Sequence, residues 1–333
     1  MYERKDIAAV KDRHKEALLA KPNVVGVGTG YKLREGRREE LCVVAMVTQK
    51  LPRASLPEES LVPSEVDGIA TDVIQVGLLQ AHPARTGRWR PALGGVSVGH
   101  RLVTAGTLGS VVRDRSTGTR LILSNNHVLA ARNRGQPGDL ILQPGQADGG
   151  REAEDVLARL ERYAPIHFTS APATCPWALR YARLGNAVAK LLGSKHRVRA
   201  YWSDPQAANV MDAAVARPLR DEDVLDEILE IGKVSGTIGA TLGMPVRKSG
   251  RTTGLTAGQV IVLDATVNVQ YGEASARFEN QIVTTAMSQP GDSGSLLVAG
   301  EALAAVGLLF AGSDQATIHN PIRSVLRGLD IEI

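Results

Sequence analysis

The chain has 333 residues, 43% of them apolar and 22% charged, with 39 Lys and Arg against 35 Asp and Glu. That length holds two or three compact units, and the composition is that of an ordinary globular protein rather than a disordered or fibrous one. A net charge of +4 is too small to argue for nucleic acid, and no apolar run reaches the ~20 residues of a spanning helix. Aromatics are only 4% while Gly numbers 34. Such a balance fits short strands joined by tight turns around a core of Val, Leu, Ile and Ala. The first residues, Met1-Tyr2-Glu3-Arg4-Lys5-Asp6, open a charged segment with no apolar stretch behind it, so a cytoplasmic protein is expected, with no membrane partner. Cys42 lies in an apolar run and reads as a small core residue. With Cys175 as the only other cysteine, no disulfide framework is implied.

In chain order, residues 3–20 are expected to be helical. Ile7, Val10, His14, Ala17 and Leu18 fall at helical spacing with Lys and Arg between them, and Pro22-Asn23 stops the helix. Strands follow at 24–28, 41–47 and 71–77, with a turn at Arg34-Glu35-Gly36-Arg37 and breaks at Pro52, Pro57 and Pro63. Residues 1–80 therefore read as a small α+β domain. Gly26-Val27-Gly28-Thr29-Gly30 invites a nucleotide-binding reading. Its spacing is not G-x-G-x-x-G, and a strand follows where a helix N-terminus is required. Strand or hairpin backbone is the better account. Residues 81–92, with Arg85, Arg88 and Arg90, read as a solvated basic linker.

From residue 93 the chain becomes mainly β. Short alternating runs at 96–98, 106–112, 120–124 and 139–143, punctuated by Gly and Asp, indicate antiparallel structure. They define a first barrel over 93–218. Residues 172–200 interrupt it: Trp177, Tyr181, Leu184, Val188 and Leu191 step by four, three, four and three, one face of a helix. Arg180, Arg183 and Lys190 lie off that face, and Lys195-His196-Arg197 follows. This helical insertion is expected to pack on the barrel or a neighbouring subunit. A lid, a dock for acidic partners and a membrane-surface helix are the alternatives. Residues 219–231, acidic and amphipathic, read as the link to a second barrel over 237–318, with strands at 258–263, 266–271 and 280–284. A closing helix over 320–328 is started by Asn320-Pro321.

The run Gln289-Pro290-Gly291-Asp292-Ser293-Gly294-Ser295 organises this pattern. Glycines on both sides permit a tight turn, and that turn can present the N–H groups of Gly291 and Ser293 as an oxyanion hole. A serine nucleophile needs a base, and the base needs an orienting group. His127 ends the apolar strand Leu123-Ser124-Asn125-Asn126-His127, and Asp212 heads Asp212-Ala213-Ala214-Val215-Ala216. Any one of the three has a structural explanation. Together, in the order His, Asp, Ser and flanked by strands, they point to acyl transfer. Ser293 would attack a peptide carbonyl, His127 would shuttle the proton, and Asp212 would hold the imidazole. No cofactor or metal is called for.

These runs carry a family resemblance. The chain resembles the trypsin-like, chymotrypsin-fold serine peptidases over about residues 91–333. Ser124-Asn125-Asn126-His127-Val128 is similar to the corresponding run of the Deg/HtrA proteases. Ser249-Gly250-Arg251-Thr252-Thr253-Gly254 is similar to secreted bacterial trypsin-like enzymes. In overall layout the chain is also similar to bacterial relatives of the plant narrow-leaf protease. The resemblance implies a double antiparallel β-barrel with a C-terminal helix and a protein or peptide substrate. It places the base of the specificity pocket at Met287 and its lining strand at 305–313, with Phe310 as a wall and Gly312 leaving room for an extended peptide. Medium apolar P1 residues are expected. Such families are often trimeric or hexameric, so self-assembly is expected too. In trypsin-like zymogens a freed N-terminus pairs with the residue corresponding to Asp292, whereas here that carboxylate is expected to be satisfied internally. The alternative function is a weakly active or inactive scaffold that binds peptides as an oligomer.

Overall fold

The structure, a computed structural model, describes residues 3–34, 37–53, 56–77, 84–300 and 302–333. The turn at Glu35-Gly36, the first two residues and positions 81–83 of the expected linker lie outside the described residues. The chain divides into two compact units, residues 1–82 and 83–333.

In the first unit, helix α1 (Arg4–Leu19) opens with a capping box in which the Asp6 carboxylate accepts the Glu3 N–H at 3.0 Å. Its Ile7, Val10 and Leu18 are buried against Val43, Val66 and Ile69. Four strands form the sheet in the order Val24–Arg34, Arg37–Val47, Ile69–Gln75, Glu65–Val66. The first two are an antiparallel hairpin, and the middle pair is parallel. The glycines of 26–30 lie in the hairpin. A Cβ on Gly26 would stand 2.7 Å from Met46 Cε, and one on Gly30 would stand 2.8 Å from Val44 Cγ2. They admit large cross-strand neighbours and open no helix. Burial pushes the Cys42 thiol up to about 11, as for an inert core cysteine.

The second unit is built on two eight-stranded antiparallel sheets. From edge to edge the first runs Ile331–Glu332, Ser110–Asp114, Arg120–Ser124, Ala214–Pro218, Val156–Tyr163, Leu140–Leu142, Ser97–His100, Gly106–Thr107. In the second, Ala274–Thr285, Gly254–Tyr271, Pro245–Gly250, Leu296–Ala299, Ala305–Gly312 and Ala316–Pro321 follow one another. The last strand pairs back onto the first and closes a ring. This is the double antiparallel β-barrel that the sequence implied. One core cluster joins Leu121 and Leu123 of the first sheet to Leu296 and Leu308 of the second. The C-terminal helix adds Val325 and Leu326 to it. The two sheets therefore bury a common face.

Four local expectations change. The strands foreseen at 258–263 and 266–271 are one strand, Gly254–Tyr271, interrupted by register shifts and by Asp264 at φ 54°. Such irregularities bend a strand without ending it. Residues 84–92 are not a solvated linker. Arg85 donates to Ser249 Oγ at 2.7 Å and pairs with Glu230, Arg90 donates to Gln143 Oε1 at 2.6 Å, and Arg88 pairs with Asp155 at 3.2 Å. Guanidinium forks with acceptors at hand stay with the fold. Helix α2 is a single turn, Asn126–Leu129, and α3 spans Pro176–Leu191. Of the two packing surfaces expected for α3, the barrel is not used: Trp177, Tyr181, Leu184 and Leu191 are all exposed. Finally, the closing helix α4 (Ile322–Gly328) starts two residues later than the expected 320–328, with Pro321 at its N-cap. Asn320 is buried in the preceding strand.

Candidate active site

His127 lies in α2, directly after the strand Arg120–Ser124. Asp212 lies just before the strand Ala214–Pro218, which pairs with Arg120–Ser124 in antiparallel register, Ala214 opposite Ser124. Neighbouring strands of one sheet thus bring together two residues 85 positions apart in sequence. The Asp212 Oδ2 is 2.6 Å from His127 Nδ1, and the His127 backbone N–H donates to Oδ1 at 3.2 Å. The Asp212 side chain is fully buried while that of His127 is 20% exposed, so the imidazole spans from interior to surface.

A fully buried carboxylate is costly unless its oxygens are hydrogen-bonded. Two residues that the sequence reading did not single out complete its shell. Tyr271 donates its hydroxyl to Asp212 Oδ2 at 2.8 Å. It reaches the site from the tip of the hairpin made by Gly254–Tyr271 and Ala274–Thr285, and its ring meets His127 edge-on at 5.8 Å. Burial, then the charge of Asp212, pushes the phenol well above its ordinary value, so it remains a donor. Asn320 grips the aspartate backbone, accepting the Asp212 N–H at 3.1 Å and donating to its carbonyl at 3.1 Å. Asn125 donates to the same carbonyl at 2.7 Å. A buried Asn beside Pro321 and a Tyr before Gly272 carried no local signal of these roles.

Ser293 sits in the turn between the second barrel's strands. Gly291 and Gly294 have φ of 100° and 97°, a region that L side chains rarely adopt. Thr107, at the edge of the first sheet, fastens this turn. Its N–H donates to the Ser293 carbonyl at 2.8 Å and its hydroxyl to the Gly291 carbonyl at 2.9 Å. The N–H groups of Gly291 and Ser293 have no hydrogen-bond partner among the described residues, the condition an oxyanion hole requires. The Ser293 hydroxyl makes no hydrogen bond to His127. Catalytic contacts of this kind often tighten only in the substrate complex.

Between these residues, Asp292 points inward and is fully buried. Its carboxylate accepts from the backbone of Thr252, Thr253 and Gln289 at 2.9–3.1 Å and from Thr253 Oγ1 at 2.7 Å. The Lys248 ammonium, equally buried, lies 3.1 Å away. Burial alone would raise this carboxyl. The hydrogen bonds from Thr253 and Gln289 and the charge of Lys248 outweigh it and hold it below the usual carboxylate range. The internal partner expected for Asp292 is therefore a lysine, on the strand leading into Ser249-Gly250-Arg251.

A cleft of about 760 Å³ opens beside His127. Its lining includes Phe310, Gly312, Ala316, Ile318, Val269 and Tyr271, and contains no Asp or Glu. A Cβ on Gly312 would stand 2.7 Å from Ser288 Oγ, so glycine keeps that wall open. Met287 is not part of the lining. Its side chain is buried with Val246, Val260 and Ile282 inside the second barrel. Thr317 Oγ1 accepts its N–H at 3.1 Å and Thr256 Oγ1 donates to its carbonyl at 2.8 Å, which turns the side chain away from the cleft. The position six before Ser293 therefore lies in the barrel core and does not line this cleft.

With this geometry established, comparison with known proteins finds sequence similarity to bacterial serine proteases. Streptogrisin-D of Streptomyces griseus is 38% identical over 99 residues, which cover 28% of this chain and 24% of that protein. Serine protease 2 of Streptomyces fradiae is 41% identical over 80 residues, 24% of this chain and 43% of that one. The chain thus spans less than half the length of these relatives. Among solved structures, the Nocardiopsis protease NAPase shares 17% identity over 72% of this chain and 97% of its own, with a TM-score of 0.45. A glutamic acid specific serine protease shares 20% over 73% and 100%, also at 0.45. No family model matches. The trypsin-like resemblance read from the motifs is thereby matched by sequence relatives among serine proteases.

The buried ion pair gives a stability prediction. Lys248→Met leaves the Asp292 carboxylate buried without its countercharge, which costs about 3–5 kcal/mol, to be read from urea denaturation at neutral pH. Because the folded carboxyl titrates below its unfolded value, the stability from this network is complete above ~pH 4 and drains away as pH falls through the lower folded value. In the wild-type chain the denaturation midpoint should fall on that acid side.

Proposed function

We propose that the chain is a serine endopeptidase that cleaves peptide bonds through an acyl-enzyme. The observation that carries this is the 2.6 Å contact between buried Asp212 and His127 Nδ1. It fixes the ring so that Nε2 is the nitrogen left to act as base. Ser293 Oγ attacks the peptide carbonyl while its proton passes to His127 Nε2. The tetrahedral oxyanion is held by the N–H groups of Gly291 and Ser293. His127 then gives the proton to the departing amine, and water repeats the sequence on the ester. Asp212 stabilises the imidazolium, and Tyr271 acts on the reaction only by positioning Asp212.

Two further readings rest on the same site. The Lys248–Asp292 pair occupies the place where a freed N-terminus would otherwise be needed, which supports activity without N-terminal cleavage. The cleft offers no carboxylate to a basic side chain, which supports P1 residues of medium apolar size such as Leu, Val or Ala.

An organophosphonate should label the wild-type chain covalently and leave Ser293→Ala unlabelled. Absence of wild-type labelling would favour a peptide-binding scaffold instead. Tyr271→Phe removes one donor from a buried carboxylate and should lower kcat about tenfold with little change in KM. An unchanged kcat would show that the hydroxyl does not position Asp212. A peptide library should give cleavage mainly after medium apolar residues. Dominance of P1 Arg or Lys would overturn the specificity assignment.

A further inference from the structure

Helix α3 is amphipathic in the reverse of the usual sense. At roughly 100° per residue, Trp177, Tyr181, Leu184, Val188 and Leu191 fall within an arc of about 80°, and all five face solvent, Leu191 being 87% exposed. The small residue Ala182 is the buried one. On the inner side, Asn186 exchanges two hydrogen bonds with the Val198 backbone, at 2.9 and 2.7 Å, and so ties the returning segment to the helix. The large apolar face is thus held outward by its own support. Folding this chain does not bury it, and an exposed apolar stripe of this size marks a contact surface.

The charge around the stripe selects the partner. Between Arg180 and Arg199 the sequence carries six Lys or Arg and no Asp or Glu. Arg180 borders the stripe, its guanidinium 5.1 Å from the Trp177 ring centre, and Arg183 and Lys190 lie further round on the same side, both exposed. Glu273, paired with Arg199, is the acidic group met at the base of the insertion. Two-fold contact with a second copy would set these cations against their own equivalents, with no carboxylate within residues 180–199 to answer them. An apolar face with Trp and Tyr, edged by cations on an exposed helix, instead matches a lipid interface bearing anionic headgroups. There the aromatic rings sit at headgroup depth and the cations meet the surface charge.

We propose that the 172–203 insertion is a peripheral docking element that lays α3 flat on an anionic bilayer surface. No described helix is long and apolar enough to cross a membrane, and none is needed: the contact is interfacial. The expectation of no membrane partner came from the lack of a spanning run, which does not bear on a helix lying in the interface plane. Docking would hold the cleft of the same unit close to substrates at that surface. The assignment does not depend on the peptidase reading.

The test is co-sedimentation of the full chain with vesicles of phosphatidylcholine alone and of phosphatidylcholine mixed with phosphatidylglycerol. Binding to the mixed vesicles, weakened by salt, and a blue shift of tryptophan emission that Trp177→Phe removes are the expected results. The triple variant Arg180→Ser, Arg183→Ser, Lys190→Ser should bind on the order of a hundredfold more weakly. Leu184→Ser with Leu191→Ser should also lose binding, with a cooperative thermal transition retained in both variants. Failure to bind the mixed vesicles would overturn the proposal, as would equal binding to neutral ones. A helix variant that converts an oligomer to a monomer without any vesicle binding would assign the face to a second copy of the chain and overturn it equally.

Discussion

The second unit depends on one buried charge. The Asp212 carboxylate has no access to water, so every oxygen it presents must be met from within. The donors that meet it come from separate parts of the fold. The ring and the backbone of His127 come from the helical turn α2 that follows a strand of the first sheet, and the Tyr271 hydroxyl from the long hairpin of the second. Asn125 and Asn320 then fix the peptide groups on either side of the carboxylate's own Cα. The two barrels must be docked for this shell to exist. Once they are, the imidazole has little freedom to turn.

The turn that carries Ser293 follows the same logic with the opposite orientation. Asp292 faces inward to Lys248 while Ser293 faces out. The buried pair pins the turn from below and Thr107 pins its carbonyls from the side, so the amides beside them stay unpaired. The two unpaired amides are therefore what remains once every other polar group around them is satisfied. A buried lysine and aspartate gain their mutual attraction only with good geometry and further hydrogen bonds. The four donors on Asp292 supply those. Lys248 also reaches Thr253 and the Gly254 carbonyl, the latter at 3.2 Å.

The second unit also shows how an addition can be attached without disturbing such a core. The strands Ser170–Pro172 and Tyr201–Ser203 pair with each other and join the sheet through a single position, Ser170 opposite Ser275. The hairpin that this insertion touches is the one whose tip carries Tyr271. The insertion and the buried carboxylate thus share one structural element, although the insertion's helix presents its apolar face to solvent.

The linear chain by itself determined the strand periods, the α+β character of the first unit, the helix of 176–191 and the run Gly291-Asp292-Ser293-Gly294. Each of these rests on spacing and turn chemistry within a few residues. It also made His127 and Asp212 visible, because each stands at the end or head of an apolar strand. What it left open was every role filled across the fold. Tyr271 and Asn320 acquire meaning only when strands far apart in sequence close around Asp212. Lys248 was one cation among 39 basic residues until burial paired it with Asp292. Met287 and the apolar stripe of α3 show the same limit from the other side. Periodicity says that a residue lies on a face, but which way that face looks, into a barrel, into a cleft or out to solvent, is decided by packing that local sequence does not encode.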